Sequence, residues 1–255
     1  SEIIDSIDEE DNARIARNLG LHKLVLCSLN SNADKFMLRK LDYKIQNLNQ
    51  LSHDETLSPI VRASVATQKF GRLGESEVIT PANICQEMVD QIGEEGCRNI
   101  CEAGSKFLDI ASKVGEFSIA VYSKLVSMGY SVETIQKLLY AIPTSSITYE
   151  FTRKIYEVLG LSIENVAANF NTYDMLSVKK ANGEDIDCDR IRNLLAQPKP
   201  FSSITLNDVP EGDDTMKFGA VVGNPPYQNN IGSGTIQATP IYNYFVEIAK
   251  GLNPD

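Results

Sequence analysis

The sequence predicts an α/β protein built on a parallel sheet and preceded by a helical N-terminal region, and three stretches carry that expectation. Phe218-Gly219-Ala220-Val221-Val222-Gly223 is a short apolar run stopped by Asn224-Pro225-Pro226-Tyr227. A buried parallel strand reads this way, because consecutive prolines offer no further ladder donors. Phe107 to Ser118 reads as strand, small-residue loop and helix. Leu138 to Ile142, followed by an amphipathic Tyr149 to Leu159, repeats the strand-then-helix rhythm.

Composition sets the frame. The chain has 255 residues, enough for one large or two modest domains, and at 42% hydrophobic and 23% charged it reads as globular. Its net charge of -10 has the wrong sign for a stand-alone nucleic-acid binder. Residues 1 to 70 carry nine Lys/Arg against ten Asp/Glu, and residues 71 to 255 carry fifteen against twenty-four, so the acidic excess lies on the α/β part. Cys27, Cys85, Cys97, Cys101 and Cys188 form no paired CxxC set, and with two histidines in all no metal site is expected. Reduced thiols, an acidic N-terminus and the lack of any membrane-length apolar stretch predict a cytoplasmic protein that does not enter membranes.

In chain order, residues 1 to 70 form the predicted helical region. Ile15, Leu19, Leu21, Leu24 and Leu26 suggest a helix turned at Gly20; Phe36, Leu38, Leu41, Ile45, Leu48 and Leu51 suggest a second; Ser58-Pro59 opens a third that runs to about Phe70. Residues 71 to 255 form the predicted catalytic core. Gly71 to Gly74 is a break, after which Thr80 is expected to cap a helix begun by Pro81, with Ile84, Met88, Val89 and Ile92 on its apolar face. After the second strand, Asn165 to Asp174 reads as the third strand and its exit loop. Residues 177 to 215 read as a long polar excursion whose acidic cluster (Glu184, Asp185, Asp187, Asp189) is a solvated turn rather than a calcium loop. Ile241, Tyr244, Phe245 and Ile248 fall on one helical face near the end.

The loop after the last strand carries the most specific chemistry. Asn224 offers a side-chain carbonyl, Pro225 a main-chain one on a stiffened backbone, and Tyr227 a flat ring. Two acceptors and a stacking face suit a planar group bearing an NH2, whose lone pair they would localise for attack on a methyl sulfonium. A turn with Tyr227 merely packing is the alternative.

Asn224-Pro225-Pro226-Tyr227 resembles the catalytic motif IV of S-adenosylmethionine-dependent amino-methyltransferases, above all the gamma-type adenine-specific DNA methyltransferases of restriction-modification systems, including the fused type IIG enzymes. The resemblance covers about Gly71 to Asp255. It implies a Rossmann-like core and S-adenosylmethionine as cofactor, with a flipped-out adenine of double-stranded DNA as the target of Asn224, Pro225, Pro226 and Tyr227. Thr80 and Pro81 resemble motif X, Asp109, Gly115 and Phe117 match motif I, and Asp174 resembles the motif III acid; all would line the cofactor. Two positions depart from the family pattern. Lys113 stands where motif I has its first glycine, and Pro143-Thr144-Ser145-Ser146 replaces the ribose-binding acid, leaving Ser145 as a neutral acceptor and weak cofactor binding as the expectation. Relatives continue into further strands and a target-recognition region. The expectations are therefore a core truncated after motif V, inactive on duplex DNA by itself, with an apolar sheet edge prone to self-association. A protein-glutamine or RNA methyltransferase, or a non-catalytic subunit with a decayed cofactor site, stays open beside this reading.

Overall fold

The computed structural model describes residues 10–19, 23–32, 34–36, 39, 54–68, 78–183, 185–208, 216–229 and 239–252. Two compact units emerge, Ser1–Ala66 and Thr67–Asp255. In the first, α1 (Glu10–Asn18) and α2 (Lys23–Asn32) flank Gly20, and α3 (Pro59–Gln68) begins at the predicted proline. The expected apolar faces are not continuous there: Leu24 and Phe36 are 85% and 62% exposed. The rest of the second series, Leu38 to Leu51, lies outside the described residues, as do Gly71 to Gly74 and Glu184.

The second unit is a mixed helix and strand structure around a three-stranded parallel sheet. Strands β1 (Lys106–Ser112), β2 (Leu139–Pro143) and β3 (Phe218–Val222) run in the order β2-β1-β3. Central β1 is buried from Phe107 onward, and Asp109 sits opposite Ala141 on one neighbour and Val222 on the other. Side chains alternate across the strand. Leu108 and Ile110 join a core with Phe201, Phe218, Phe245 and Ile248. Asp109 faces the other way, toward α6 (Glu116–Ser127) and α8 (Ser146–Leu159), whose Ser118 and Tyr156 hydroxyls lie 3.3 Å apart beside it. Two further helices, α4 (Ala82–Asp90) and α5 (Gly93–Glu102), precede the sheet; α4 packs on α6, and a short α7 (Val132–Ile135) leads into β2.

Two expectations fail for local reasons. The third strand is reduced to one parallel bridge, Ala141 to Val166, because Ile163–Asn165 coils into a 3-10 turn. The Asn165 side chain donates to Gln136 and Leu139 carbonyls at 2.7 and 3.0 Å, and Asn169 donates to Ser202 at 2.9 Å, so side-chain amides stand in for a ladder. The polar excursion is likewise structured. Asp187 caps α9 (Cys188–Leu195) through the Arg190 amide, and Phe201 packs edge-on to Tyr140 at 4.9 Å. Beyond β3, a two-residue antiparallel pair, β4 (Gln228–Asn229) and β5 (Thr239–Pro240), leads into α10 (Tyr242–Gly251), which packs on α9. Ile241, Phe245 and Ile248 are buried as predicted, whereas Tyr244 is 44% exposed. No helix among the described residues is long and apolar enough to cross a membrane.

Candidate active site

The C-terminal ends of β1, β2 and β3 meet at one rim, where parallel α/β sheets gather their functional loops. Thr172 staples that rim. Its buried hydroxyl lies 3.0, 3.3 and 3.1 Å from the carbonyls of Ile110, Ile142 and Pro143, and its amide donates to Pro143 at 2.8 Å. Nothing in the sequence singled it out, since one threonine in a polar stretch has no pattern.

At the end of β3 the chain turns at Gly223, whose φ of 147° and close approach to Ile110 and Ala111 leave little room for a side chain. Asn224 follows, half-buried, then the buried Pro225 and Pro226, then Tyr227 at 63% exposure. The Asn224 amide nitrogen donates to the Thr80 hydroxyl at 3.2 Å. That bond fixes which way the carboxamide faces and directs its oxygen away from Thr80. Thr80 therefore has a different place from the one its sequence suggests. Pro81, in extended conformation, is itself the N-cap residue of α4, which has no side-chain cap, and Thr80 turns to the β3 loop instead.

Lys113 links the same two segments. Its side chain is 3% exposed, and its ammonium donates to the carbonyls of Val78 at 2.8 Å and Asn224 at 3.0 Å. Tyr227 stacks on Tyr242 with ring centroids 5.3 Å apart and planes 13° from parallel. Tyr242, at the first turn of α10, is a second aromatic that sequence reasoning left out.

The β1 loop is built differently. Gly115, at φ 75°, is the N-cap residue of α6, and a Cβ there would meet Ile155 at 3.0 Å. The Val114 amide at the head of this loop donates to Glu116 Oε2 at 3.0 Å. Glu116 and Asp109 are both buried. Ser118 donates to Asp109 Oδ2 at 3.2 Å, while Asp109 Oδ1 and Glu116 Oε1 are buried with no hydrogen-bond partner. Burial, and then the neighbouring Glu116 charge, push the Asp109 carboxyl up to about 7; the nearby Ser112 and Ser118 hydroxyls and the Ala111 amide temper the rise without closing a bond to Oδ1. Burial first, then these same carboxylates, push the Cys85 thiol up to about 12, so it stays neutral.

The remaining predicted residues lie around this centre. Phe117 is buried and lines a cleft of about 500 Å³ with Met88, Ile92, Ile100 and Gly219 to Gly223. Ser145 closes a capping box with Thr148 at the start of α8, which commits its hydroxyl to the helix. Asp174 opens a 3-10 turn, and its Oδ2 accepts from the Asn171 amide at 2.9 Å. The structure thus brings Thr80, Lys113 and Asn224 together, and Asp109 with Glu116, while Ser145 and Asp174 are engaged within their own turns.

Residues 105–255, more than half of the chain, match the Eco57I restriction-modification methylase family. The chain belongs to that family. No curated protein and no solved structure matches it. The family match opens one residue before β1 and takes in Asp109, Lys113, Gly115 and the whole Asn224 to Tyr227 loop; Thr80 and Pro81 precede it. Methylases of this family generally use S-adenosylmethionine, and the orphaned oxygens of Asp109 and Glu116 suit its cationic methionine end, because a buried carboxylate oxygen without a donor is stabilised by an ammonium group.

Proposed function

We propose that this methylase transfers a methyl group from S-adenosylmethionine to the exocyclic amine of an adenine flipped out of double-stranded DNA, on a Rossmann-like core of the gamma type. The observation that carries the reading is the pinned carboxamide of Asn224 at the C-terminal end of β3, next to Tyr227. With its NH2 group engaged by Thr80, Asn224 has its oxygen left to accept from an incoming amine. The Pro225 carbonyl is the second acceptor, and Tyr227 stacks on the base. Accepting both amine protons draws the nitrogen toward a tetrahedral geometry and exposes its lone pair. The cofactor, when bound, supplies the electrophilic methyl carbon. Asp109 and Glu116 would hold its ammonium group, Thr80 and Pro81 would border its methionine end with Phe117 beside them, and Asp174 would accept from its adenosine, while the Ser145 hydroxyl stays committed to its capping box. As the new carbon–nitrogen bond forms, the methyl carbon–sulfur bond of the sulfonium breaks to leave a neutral thioether, and the amine gives up one proton to solvent. Alignment and oriented dipoles supply the rate, and no general base is required.

Calorimetry with S-adenosylmethionine tests the cofactor half of this reading, and binding weaker than micromolar is expected because the hydroxyls of Thr144 and Ser145 face α8. Labelled methyl transfer to adenine-bearing duplexes at low salt tests the rest. Label recovered in N6-methyladenine supports it. Label in cytosine, or in protein glutamine, overturns the adenine assignment, and a chain that neither binds the cofactor nor transfers label is not a methyltransferase.

A further inference from the structure

We propose that Lys113 is a positioning residue for methyl transfer, a buried ammonium that sets the peptide plane of Asn224 and, through it, the direction of the Pro225 carbonyl. The inference rests on the methyltransferase reading of the loop. Its starting point is that two links join the same two segments. One is the Asn224 amide to the Thr80 hydroxyl at 3.2 Å; the other is Lys113, which bridges the carbonyls of Val78 and Asn224 at 2.8 and 3.0 Å. A single hydrogen bond leaves the partners free to rotate about it. A second one, two residues away on one side and on the main chain of the same residue on the other, removes that freedom.

The acceptor matters as much as the count. Lys113 grips the main-chain oxygen of Asn224, which belongs to the peptide bond joining Asn224 to Pro225. That peptide is planar, the proline ring fixes φ at Pro225, and the following Pro226 confines ψ of Pro225 to the extended range. Holding its oxygen therefore constrains the next carbonyl, that of Pro225, which is one of the two acceptors the reaction needs. A glycine at position 113 could hold neither carbonyl.

Burial strengthens the case. An ammonium at 3% exposure is costly unless its protons are satisfied and opposite charge is near. Two carbonyls accept from it. A lysine that merely filled space would leave its ammonium in water, as lysines usually do.

The test is hydrogen exchange on the ligand-free chain carrying Lys113→Met, which keeps the length of the side chain and removes its donors. The amides of Val78, Thr80, Gly223, Asn224 and Tyr227 should exchange about tenfold faster or more, while those of Phe107 to Asp109 and Leu139 to Ala141 stay unchanged. In methyl transfer, kcat should fall about thirtyfold with KM for the cofactor within threefold. Unchanged exchange at the named amides overturns the proposal, and so does faster exchange that spreads through β1. A lower cofactor affinity with loop exchange unchanged would make Lys113 a cofactor ligand instead. If the variant does not fold, the native protein decides: the Lys113 ammonium protons should exchange slowly enough to be seen by NMR, and rapid exchange refutes the bridge. Because exchange is read without ligand, it stands or falls separately from the methyltransferase reading, which fails on its own if the wild-type chain neither binds S-adenosylmethionine nor transfers label to adenine.

Discussion

The two loops at the sheet rim solve opposite problems. The Asn224 loop is satisfied before any ligand arrives: its carboxamide nitrogen is held by Thr80, its main-chain oxygen by Lys113, and its tyrosine by Tyr242. The β1 loop is unsatisfied, with two buried carboxylates that repel each other and each leave an oxygen without a donor. On the proposed reading, the amine end of the reaction is preorganised, and the cofactor end stores a cost that a bound cation would relieve. The difference teaches that in this methylase the rate should depend on the first loop and the affinity on the second.

The largest expected effect breaks the first half of that contrast. Asn224→Ala should lower methyl transfer about a hundredfold, on the order of 3 kcal/mol of barrier, by removing one of two acceptors aimed at the reacting amine. Cofactor affinity by calorimetry should change little. Near-normal turnover would mean that the loop does not hold the amine.

How far the sequence revealed this contrast depends on the kind of signal. The apolar run ending at Val222 and the strand-loop-helix around Asp109 were legible because buried parallel strands and prolines leave strong local patterns. So was the loop at Asn224, whose four residues form a recognisable word. The third strand was misread because the side chains of Asn165 and Asn169 replaced main-chain pairing, which depends on where Gln136 and Ser202 sit in space. Thr80 was placed as a helix cap because the residue before proline suggests one; its partner lies 144 residues away. Lys113 was noticed only as a departure from a glycine, and Glu116 not at all, since a long-range bridge and a buried repulsion have no sequence period.

Gly223→Ala attacks the same loop through the backbone. A φ of 147° and a Cβ contact of 3.2 Å with Ile110 leave an alanine strained, at a cost of about 1 to 3 kcal/mol. Denaturant unfolding should show a lower midpoint with unchanged slope, and the methyl-transfer rate should fall alongside it. An alanine variant as stable as the parent would show that the turn is not held against β1.

The second half of the contrast is sharpened by pH. Asp109 is raised from 3.8 to about 7, so the folded chain holds a proton that the unfolded chain releases. The stability this confers is complete below about 3.8 and is lost as pH rises through about 7. Cofactor binding should run the other way, because the ammonium group is best held by the ionised acid. Affinity should rise up to about tenfold per unit as pH climbs toward neutrality and level off above it, with the gain abolished in Asp109→Asn. Binding isotherms from pH 6 to 8 measure this directly. Affinity that is flat with pH in the parent chain would mean that Asp109 does not face the cation.

The smallest expected effect concerns Tyr242, because a ring that supports another ring acts at one remove. Tyr227 is 63% exposed, and its stacking partner is the 40% exposed ring of Tyr242, itself fixed by the first turn of α10. The Ile241 amide also donates to the Tyr227 carbonyl at 3.0 Å, so the backbone beneath the stack is tied independently of the rings. Tyr242→Ala should therefore leave the loop in place and free only the Tyr227 side chain, forfeiting an aromatic pair worth about 0.5 to 1.5 kcal/mol. The consequence is a base-binding defect of a few fold, read as a higher KM for DNA at nearly constant kcat, with Tyr242→Phe restoring the parent value. A large fall in kcat on Tyr242→Ala would place that ring against the reacting amine, and the division of labour between Tyr227 and Tyr242 would have to be reversed.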